Sequence, residues 1–149
     1  MIPAARSSEQ AKLSLLGLRC GDAFGEKFFG NSDQCLPLLN QRLLPDAPWS
    51  YTDDTLMAVS IVETLERCGE IDQDALAQSF ARKYDPMRGY GPAMHGLLAE
   101  IRHGRSWRQA APALFDGQGS YGNGAAMRVA PLGAYYADGD LDVLVVEAM

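Results

Sequence analysis

Trp49-Ser50-Tyr51-Thr52-Asp53-Asp54-Thr55 leads directly into the run Leu56-Met57-Ala58-Val59-Ser60-Ile61-Val62-Glu63-Thr64-Leu65. Ala58, Ile61, Val62 and Leu65 recur at three- and four-residue spacing, which predicts an amphipathic helix with Asp53 and Asp54 at its start. Carboxylates suit that position. Their oxygens can accept the unpaired first-turn N–H groups, and their charge opposes the positive end of the helix dipole, worth about 0.3–1 kcal/mol. A cap needs one carboxylate, yet two stand in succession here, flanked by the hydroxyls of Thr52 and Thr55. Two readings stay open: Asp53 is an N-cap with ordinary first-turn neighbours, or the cluster grips a hard cation such as Mg²⁺, Mn²⁺ or Ca²⁺. A prenyl-synthase-like Asp-Asp-x-x-Asp motif is excluded, because Met57 occupies the place of the third carboxylate.

The same helical period extends outward from this segment. Upstream, Ser7 and Gln10 have capping-box spacing, so a first helix is expected from Ser7 or Ser8, with Ala11, Leu15 and Leu18 inward. Four residues further the stripe reaches Asp22, an acid that needs a hydrogen-bonding or cationic partner if buried. Gly21, Gly25 and Gly30 around it predict a helix terminus opening into a loop. Residues 31–50 read as a polar connection bearing Pro37, Pro45 and Pro48. Downstream, Gly69 is expected just past the end of the Asp-Asp helix, and Asp72 to cap the next, with Leu76, Phe80 and Tyr84 on one face. Further helices are expected from Pro92 to Gly104, briefly after Ser106, from about Gly124 toward Tyr136 with a kink at Pro131, and through Leu141, Leu144, Val145 and Ala148. No stretch alternates strictly enough for a strand, so the class is all-α.

Composition narrows the function. A chain of 149 residues is one domain on length, and a hydrophobic share of 47% describes a globule with a real core. The net charge of −6 argues against nucleic acid and anionic membrane as partners, so an anionic ligand would need local help from metal ions, backbone N–H groups or single arginines. Cys20, Cys35 and Cys68 fit no zinc spacing and are expected to be free, largely buried thiols. Without a signal-peptide pattern or a run of about 20 apolar residues, a cytoplasmic location is the expectation.

Two glycine-rich segments carry further chemistry. Ser120-Tyr121-Gly122-Asn123-Gly124 precedes a helical stretch, where glycines permit close approach and first-turn N–H groups can hold a phosphate. It can equally be a plain turn, and it is not a dinucleotide fingerprint, since Met127 stands where a third glycine would be. Arg128, one turn on, can reach a phosphate or pair with an acid. Arg88-Gly89-Tyr90-Gly91-Pro92 is the second such loop, its Tyr90 placed either to stack on a base or ribose or to fill the loop. Asp138, Asp140 and Asp142 fail as a calcium loop, with Val143 and Met149 at its sixth and twelfth positions. His95 and His103 lack partners at ligand spacing and are read as structural.

Taken in order, Gly21-Asp22-Ala23-Phe24-Gly25, Trp49 to Thr55, Arg88-Gly89-Tyr90-Gly91 and Gly122-Asn123-Gly124-Ala125-Ala126-Met127-Arg128 resemble the ADP-ribosylglycohydrolase family, which includes dinitrogenase reductase-activating glycohydrolases and ADP-ribosyl-acceptor hydrolases. The resemblance implies an all-α, orthogonally packed fold and a centre of two Mg²⁺ or Mn²⁺ ions. It assigns Thr52, Asp53 and Asp54 to the metals, with Asp53 and Asp54 as catalytic residues. Ser120, Tyr121, Gly122, Asn123, Gly124 and Arg128 would hold the ADP-ribose phosphates, and Gly89, Tyr90 and Gly91 its distal ribose. The reaction implied is hydrolysis of an N- or O-glycosidic bond between ADP-ribose and an amino-acid side chain, on an ADP-ribosylated protein or an ADP-ribose-containing small molecule. Where the family often has a glutamate, this sequence has Phe29, with Glu26 the nearest acid. The family's second ligand group, Asp-x-Asp-Ser/Thr, is absent, and the last helix is still in stride at Met149. Residues 1–149 therefore read as the N-terminal portion of a single ADP-ribosylglycohydrolase-like domain. The alternatives are a catalytically incomplete fragment or pseudoenzyme that binds ADP-ribose or a partner protein, and a purely structural role. Self-association through exposed apolar helix faces is a further expectation.

Overall fold

Ala58, Ile61, Val62 and Leu65 are all 4% exposed or less, so the stripe read from the sequence is the centre of the core, and Met57, 2% exposed, joins it. The computed structural model describes residues 4–30 and 32–149. Its helices are α1 (Ala4–Gly25), α2 (Ser32–Gln41), α3 (Asp53–Cys68), α4 (Gln73–Lys83), α5 (Pro92–Arg102), α6 (Trp107–Ala110), α7 (Ala130–Tyr135) and α8 (Leu141–Ala148). No strand occurs among the described residues, as the patterning predicts.

Helix α3 is the hub. It packs against α1, α4, α7 and the tight turn Ala126–Arg128, while α7 also lies along α1 and α5 against α4. Being enclosed on several sides, α3 buries polar residues too: Thr55, Ser60 and Thr64 are inaccessible. Thr64 Oγ1 donates to the Ser60 carbonyl (2.9 Å), which satisfies a buried hydroxyl within the helix's own turn. At the far end Gly69 takes φ 78°, a left-handed conformation that glycine adopts without a Cβ penalty, and its N–H donates to the Leu65 carbonyl (2.9 Å). Asp72 caps α4 by accepting from Ala75 N–H (2.9 Å). Leu97, Leu98 and Ile101 of α5 are buried, and His103 follows its last turn, donating from Nδ1 to the Ala99 carbonyl (2.7 Å). His95 is held by the Tyr84 hydroxyl at Nδ1 (2.5 Å). Both histidines are structural.

Four expectations are corrected. Helix α1 starts at Ala4, ahead of Ser7, and runs through Gly21 to Gly25, so these glycines do not open a loop. Packing of α1 against α3 and α7 outweighs the modest helix penalty of glycine, about 1 kcal/mol each. The segment 31–50 is not all loop, since Ser32–Gln41 forms α2 despite Pro37. Pro37 forfeits a single bond to the Asp33 carbonyl, and the helix is anchored through buried Cys35, whose thiol lies 3.8 Å from the Lys27 carbonyl. The helix expected from Gly124 is instead a 3₁₀ turn (Ala126–Arg128) followed by α7. Pro131 cannot donate to the Met127 carbonyl, and its ring crowds that carbonyl, so it sits in the first turn of a new helix, where a missing N–H costs nothing. Of the cysteines, all free, only Cys35 is buried; Cys20 and Cys68 are exposed.

The rejected calcium-loop acids have structural work. Asp138 pairs with Arg6 (3.1 Å) and accepts from Gln10 Nε2 (3.1 Å), and Asp140 caps α8 through Asp142 N–H (2.9 Å). No helix among the described residues is long and apolar enough to cross a membrane. Several large apolar side chains face solvent, notably Phe29, Leu36, Leu39, Leu141 and Val146.

Truncating the hub tests this architecture. Leu65→Ala is expected to lower stability by about 2–5 kcal/mol in urea unfolding, because Leu65 is 1% exposed and its cavity has little room to collapse. A loss under about 1 kcal/mol would show that α3 is not the centre of the core.

Candidate metal and nucleotide site

The site is built by one acid. Asp22, in the last turn of α1, accepts four hydrogen bonds from the mouth of α3. Thr52 N–H (2.8 Å), Thr52 Oγ1 (2.7 Å), Thr55 N–H (3.3 Å) and Thr55 Oγ1 (2.5 Å) all donate to it. Thus Asp22 satisfies backbone donors that a helix start leaves unpaired, and does so from another helix. The sequence flagged Asp22 as an acid needing a partner; these two threonines supply it.

With Asp22 in place, Thr52 and not Asp53 is the N-cap. Its Oγ1 accepts from Asp54 N–H (3.3 Å), and its backbone is extended (φ −108°, ψ −165°). The expectation that Asp53 is the cap is thereby corrected, and Asp53 and Asp54 are both first-turn residues of α3. A hydroxyl has two acceptor lone pairs, so Thr52 Oγ1 retains one after its bond to Asp54 N–H.

Asp53 and Asp54 form no ion pair among the described residues, and both are held above the usual carboxylate range. For Asp53 the main cause is burial, followed by the charges of Asp54 and Asp22. For Asp54 it is burial, then Asp22, with Glu26 adding to the repulsion. Glu26 begins the 3₁₀ turn Glu26–Phe28 after α1, whereas Phe29 is 84% exposed. Glu26 thus adds a minor negative charge beside Asp54. Half-buried oxygens pushed together without a cation are a donor set that fits a hard divalent ion. Among the described residues no three His, Cys, Asp or Glu side chains converge into a ready cage.

The Arg88–Gly91 loop closes on the same helix mouth. Asp53 N–H donates to the Arg88 carbonyl (2.7 Å), and the Arg88 guanidinium sits 4.1 Å over the Tyr51 ring while donating to the Tyr51 carbonyl (3.0 Å). Gly89 has φ 82°, and a Cβ there would stand 3.8 Å from Asp53 Oδ1. Positive φ, more than space, calls for glycine here. Tyr90 is 5% exposed, its ring 5.1 Å from that of Tyr84, so it fills the loop from the core side. Burial and the charges of Asp53 and Asp85 push its hydroxyl up to about 12. Gly91 precedes α5 at φ −59°.

Residues 120–123 are exposed and Gly124 is half-buried, with Tyr121 fully in solvent. Ser120 Oγ accepts from Gly122 N–H (3.0 Å), and Asn123 O accepts from Met127 N–H (2.9 Å), tying the loop to the turn that packs on α3. Arg128 neither joins the loop nor pairs with an acid. Its guanidinium lies 4.7 Å over the Phe80 ring and 3.6 Å from Met57 Sδ, and burial lowers its pKa. Asp22 and Glu26 enter the site from α1 and its following turn. The sequence signal for Asp22 was an acid continuing a core-facing stripe.

An all-α fold with an Asp-Asp helix mouth and the Arg88–Gly91 loop closed on it defines a class, and comparison with known proteins agrees on which. The model of the family described as ADP-ribosylglycohydrolase matches residues 3–149. The chain belongs to this family. It is 38% identical to the ADP-ribosylhydrolase ARH3 of Xenopus tropicalis over 136 residues, 83% of this chain and 38% of that protein. Human ARH3 is 35% identical over 150 residues, 90% of this chain and 41% of that protein. The uncharacterized YegU of Escherichia coli is 34% identical over 101 residues, 64% of this chain and 28% of that protein. The chain thus spans about two-fifths of the length of the ARH3 relatives it matches.

Two substitutions probe the geometry. Asp22→Ala should cost about 2–3 kcal/mol in chemical unfolding by orphaning the Thr52 and Thr55 N–H groups, and Asp22→Asn, which keeps an acceptor oxygen, clearly less. Equal losses would show that Asp22 acts through its charge alone. The raised pKa values of Asp53 and Asp54 mean that the folded chain holds their protons to higher pH than the unfolded chain does. Their contribution is therefore favourable below the ordinary value of 3.8 and is lost as pH rises through the folded values. With chelator present, Asp53→Asn should melt higher than the parent at pH 7, by roughly a few degrees, with the gap closing toward pH 4. A lower melting temperature at pH 7 would contradict the mutual repulsion.

Proposed function

We propose that this chain is the part of a metal-dependent ADP-ribosyl hydrolase that supplies the first metal ligands and the nucleotide loops. The carrying observation is that Thr52 caps α3 with Asp22 bracing it, while Asp53 and Asp54 form no ion pair among the described residues. Those oxygens would hold Mg²⁺ or Mn²⁺. A pair of such ions, when bound, supplies polarisation of a ribose centre and a reactive water. In this reading Asp53 and Asp54 fix the metals and accept a proton from the attacking water, and Glu26, the acid nearest Phe29, substitutes for the family's glutamate. Gly89 and Gly91 bring backbone close to the distal ribose, with Tyr90 anchoring that loop from beneath. Ser120, Tyr121, Gly122, Asn123 and Gly124 offer N–H and hydroxyl donors to a diphosphate. The bond cleaved would be N- or O-glycosidic, between ADP-ribose and a modified side chain, in a cytoplasmic setting.

The exposed Phe29 and the absence of a ready metal cage among the described residues favour a second reading, a module that binds ADP-ribose or a partner protein without catalysis. Manganese titration followed by electron paramagnetic resonance tests the first. Saturable Mn²⁺ binding is expected, weakened by roughly 10–100-fold or more in Asp53→Ala and in Asp54→Ala. Undiminished binding in both variants would eliminate the metal role. Calorimetry with ADP-ribose separates the two readings: affinity that rises with Mg²⁺ supports the hydrolase, and affinity indifferent to Mg²⁺ supports the module.

A further inference from the structure

Tyr84 follows α4 directly and is half-buried, and both ends of α5 hold it. From the last turn of α5, Arg102 donates to the Ala81 (2.9 Å), Arg82 (3.2 Å) and Tyr84 (3.2 Å) carbonyls, which the C-terminus of α4 leaves without helical partners. Its guanidinium also lies 5.7 Å from the centre of the Tyr84 ring. From the first turns of α5, His95 meets the Tyr84 hydroxyl through Nδ1 (2.5 Å). With its carbonyl tied at one end and its hydroxyl at the other, Tyr84 is set in one orientation. Its ring meets that of Tyr90 edge to face at 5.1 Å, and Tyr90 is buried between Gly89 and Gly91.

The loop that Tyr84 supports ends on the acid pair. The Arg88 carbonyl accepts the Asp53 N–H at 2.7 Å, and a Cβ on Gly89 would stand 3.8 Å from Asp53 Oδ1. We propose that Tyr84 is a positioning residue for Asp53. Its hydroxyl, held by His95, fixes the ring against which Tyr90 packs; Tyr90 fixes the Arg88–Gly91 loop; and the Arg88 carbonyl sets the first residue of α3, from which the Asp53 carboxylate projects. The rest of α3 is fixed by the core, so the loop governs its mouth alone. Ligand oxygens must be held within about 0.5 Å of their productive places, and a hydrogen-bonded aromatic pair is stiff enough to do that. Tyr84 and His95 are not catalytic residues, since both act through the loop. The functional meaning rests on the metal reading of Asp53, but the positioning itself is measurable without a metal, so the two can fail separately.

Three variants carry the test. Tyr84→Phe keeps the ring and removes only the hydroxyl, His95→Leu removes the hydroxyl's partner, and His95→Asn returns a polar atom near the place of Nδ1. The first measurement is nuclear magnetic resonance on the chain with chelator present, where dispersed amide signals show that each variant folds. The coupling transmitted through the hydrogen bond from Asp53 N to the Arg88 carbonyl carbon reads that bond in the native state, whatever the variant's overall stability. It should fall by about half or more in Tyr84→Phe and His95→Leu, because hydrogen bonds weaken steeply with length and angle, and stay near the parent in His95→Asn. The second measurement is Mn²⁺ affinity by electron paramagnetic resonance. The dissociation constant should rise roughly 3–10-fold in Tyr84→Phe and in His95→Leu, the equivalent of one ordinary hydrogen bond, with His95→Asn restoring it. An unchanged coupling in both Tyr84→Phe and His95→Leu overturns the proposal, as does a weakened coupling with Mn²⁺ bound as tightly as by the parent. If the parent itself binds no Mn²⁺, the metal reading fails, and the coupling alone decides whether Tyr84 positions Asp53.

Discussion

One carboxylate holds this site together. By accepting from both the backbone and the side chains of Thr52 and Thr55, Asp22 joins the end of α1 to the start of α3. Were Asp53 the cap, its carboxylate would be committed to first-turn N–H groups. Capped by Thr52 and braced by Asp22, α3 instead keeps Asp53 and Asp54 close together, partly desolvated and mutually repelling. That repulsion is a cost carried by the fold, and a bound divalent cation would remove it.

The rest of the architecture serves the same juncture. Burial of α3 on several sides fixes its axis, so its N-terminus cannot drift from Asp22 or from the Arg88 carbonyl. Arg88 in turn stacks on Tyr51, the residue just before the cap. The acidic balance of the chain fits this design. A net charge of −6 cannot attract a diphosphate broadly, so in the proposed function affinity for one would arise locally, at the Asp pair and the N–H donors of the glycine loops.

Much of this was legible from the residues, because helical period and capping chemistry are local. The inward stripe of α3, the stop at Gly69, the Asp72 cap and the Pro92 start all follow from neighbours within a few positions. What escaped depends on distant contacts. Glycines 21 and 25 look like terminators, yet α1 continues because α3 and α7 pack along it. Asp53 looks like the cap, and only the arrival of Asp22 from 30 residues away hands that role to Thr52. Tyr90 between two glycines reads equally as a stacking platform or a loop filler, and only its packing on Tyr84 selects the second. Arg128 follows a glycine-rich loop and suggests phosphate, but Pro131 breaks the helix after it and the side chain turns inward onto Phe80.

Anomalous diffraction from crystals soaked with Mn²⁺ examines the account at its root. It predicts manganese within coordination distance of the Asp53 and Asp54 carboxylates and of Thr52 Oγ1, with Asp22 still bound to Thr52 and Thr55 and making no contact with the ion. Manganese bound elsewhere, or Asp22 leaving its threonines to become a ligand itself, would contradict it.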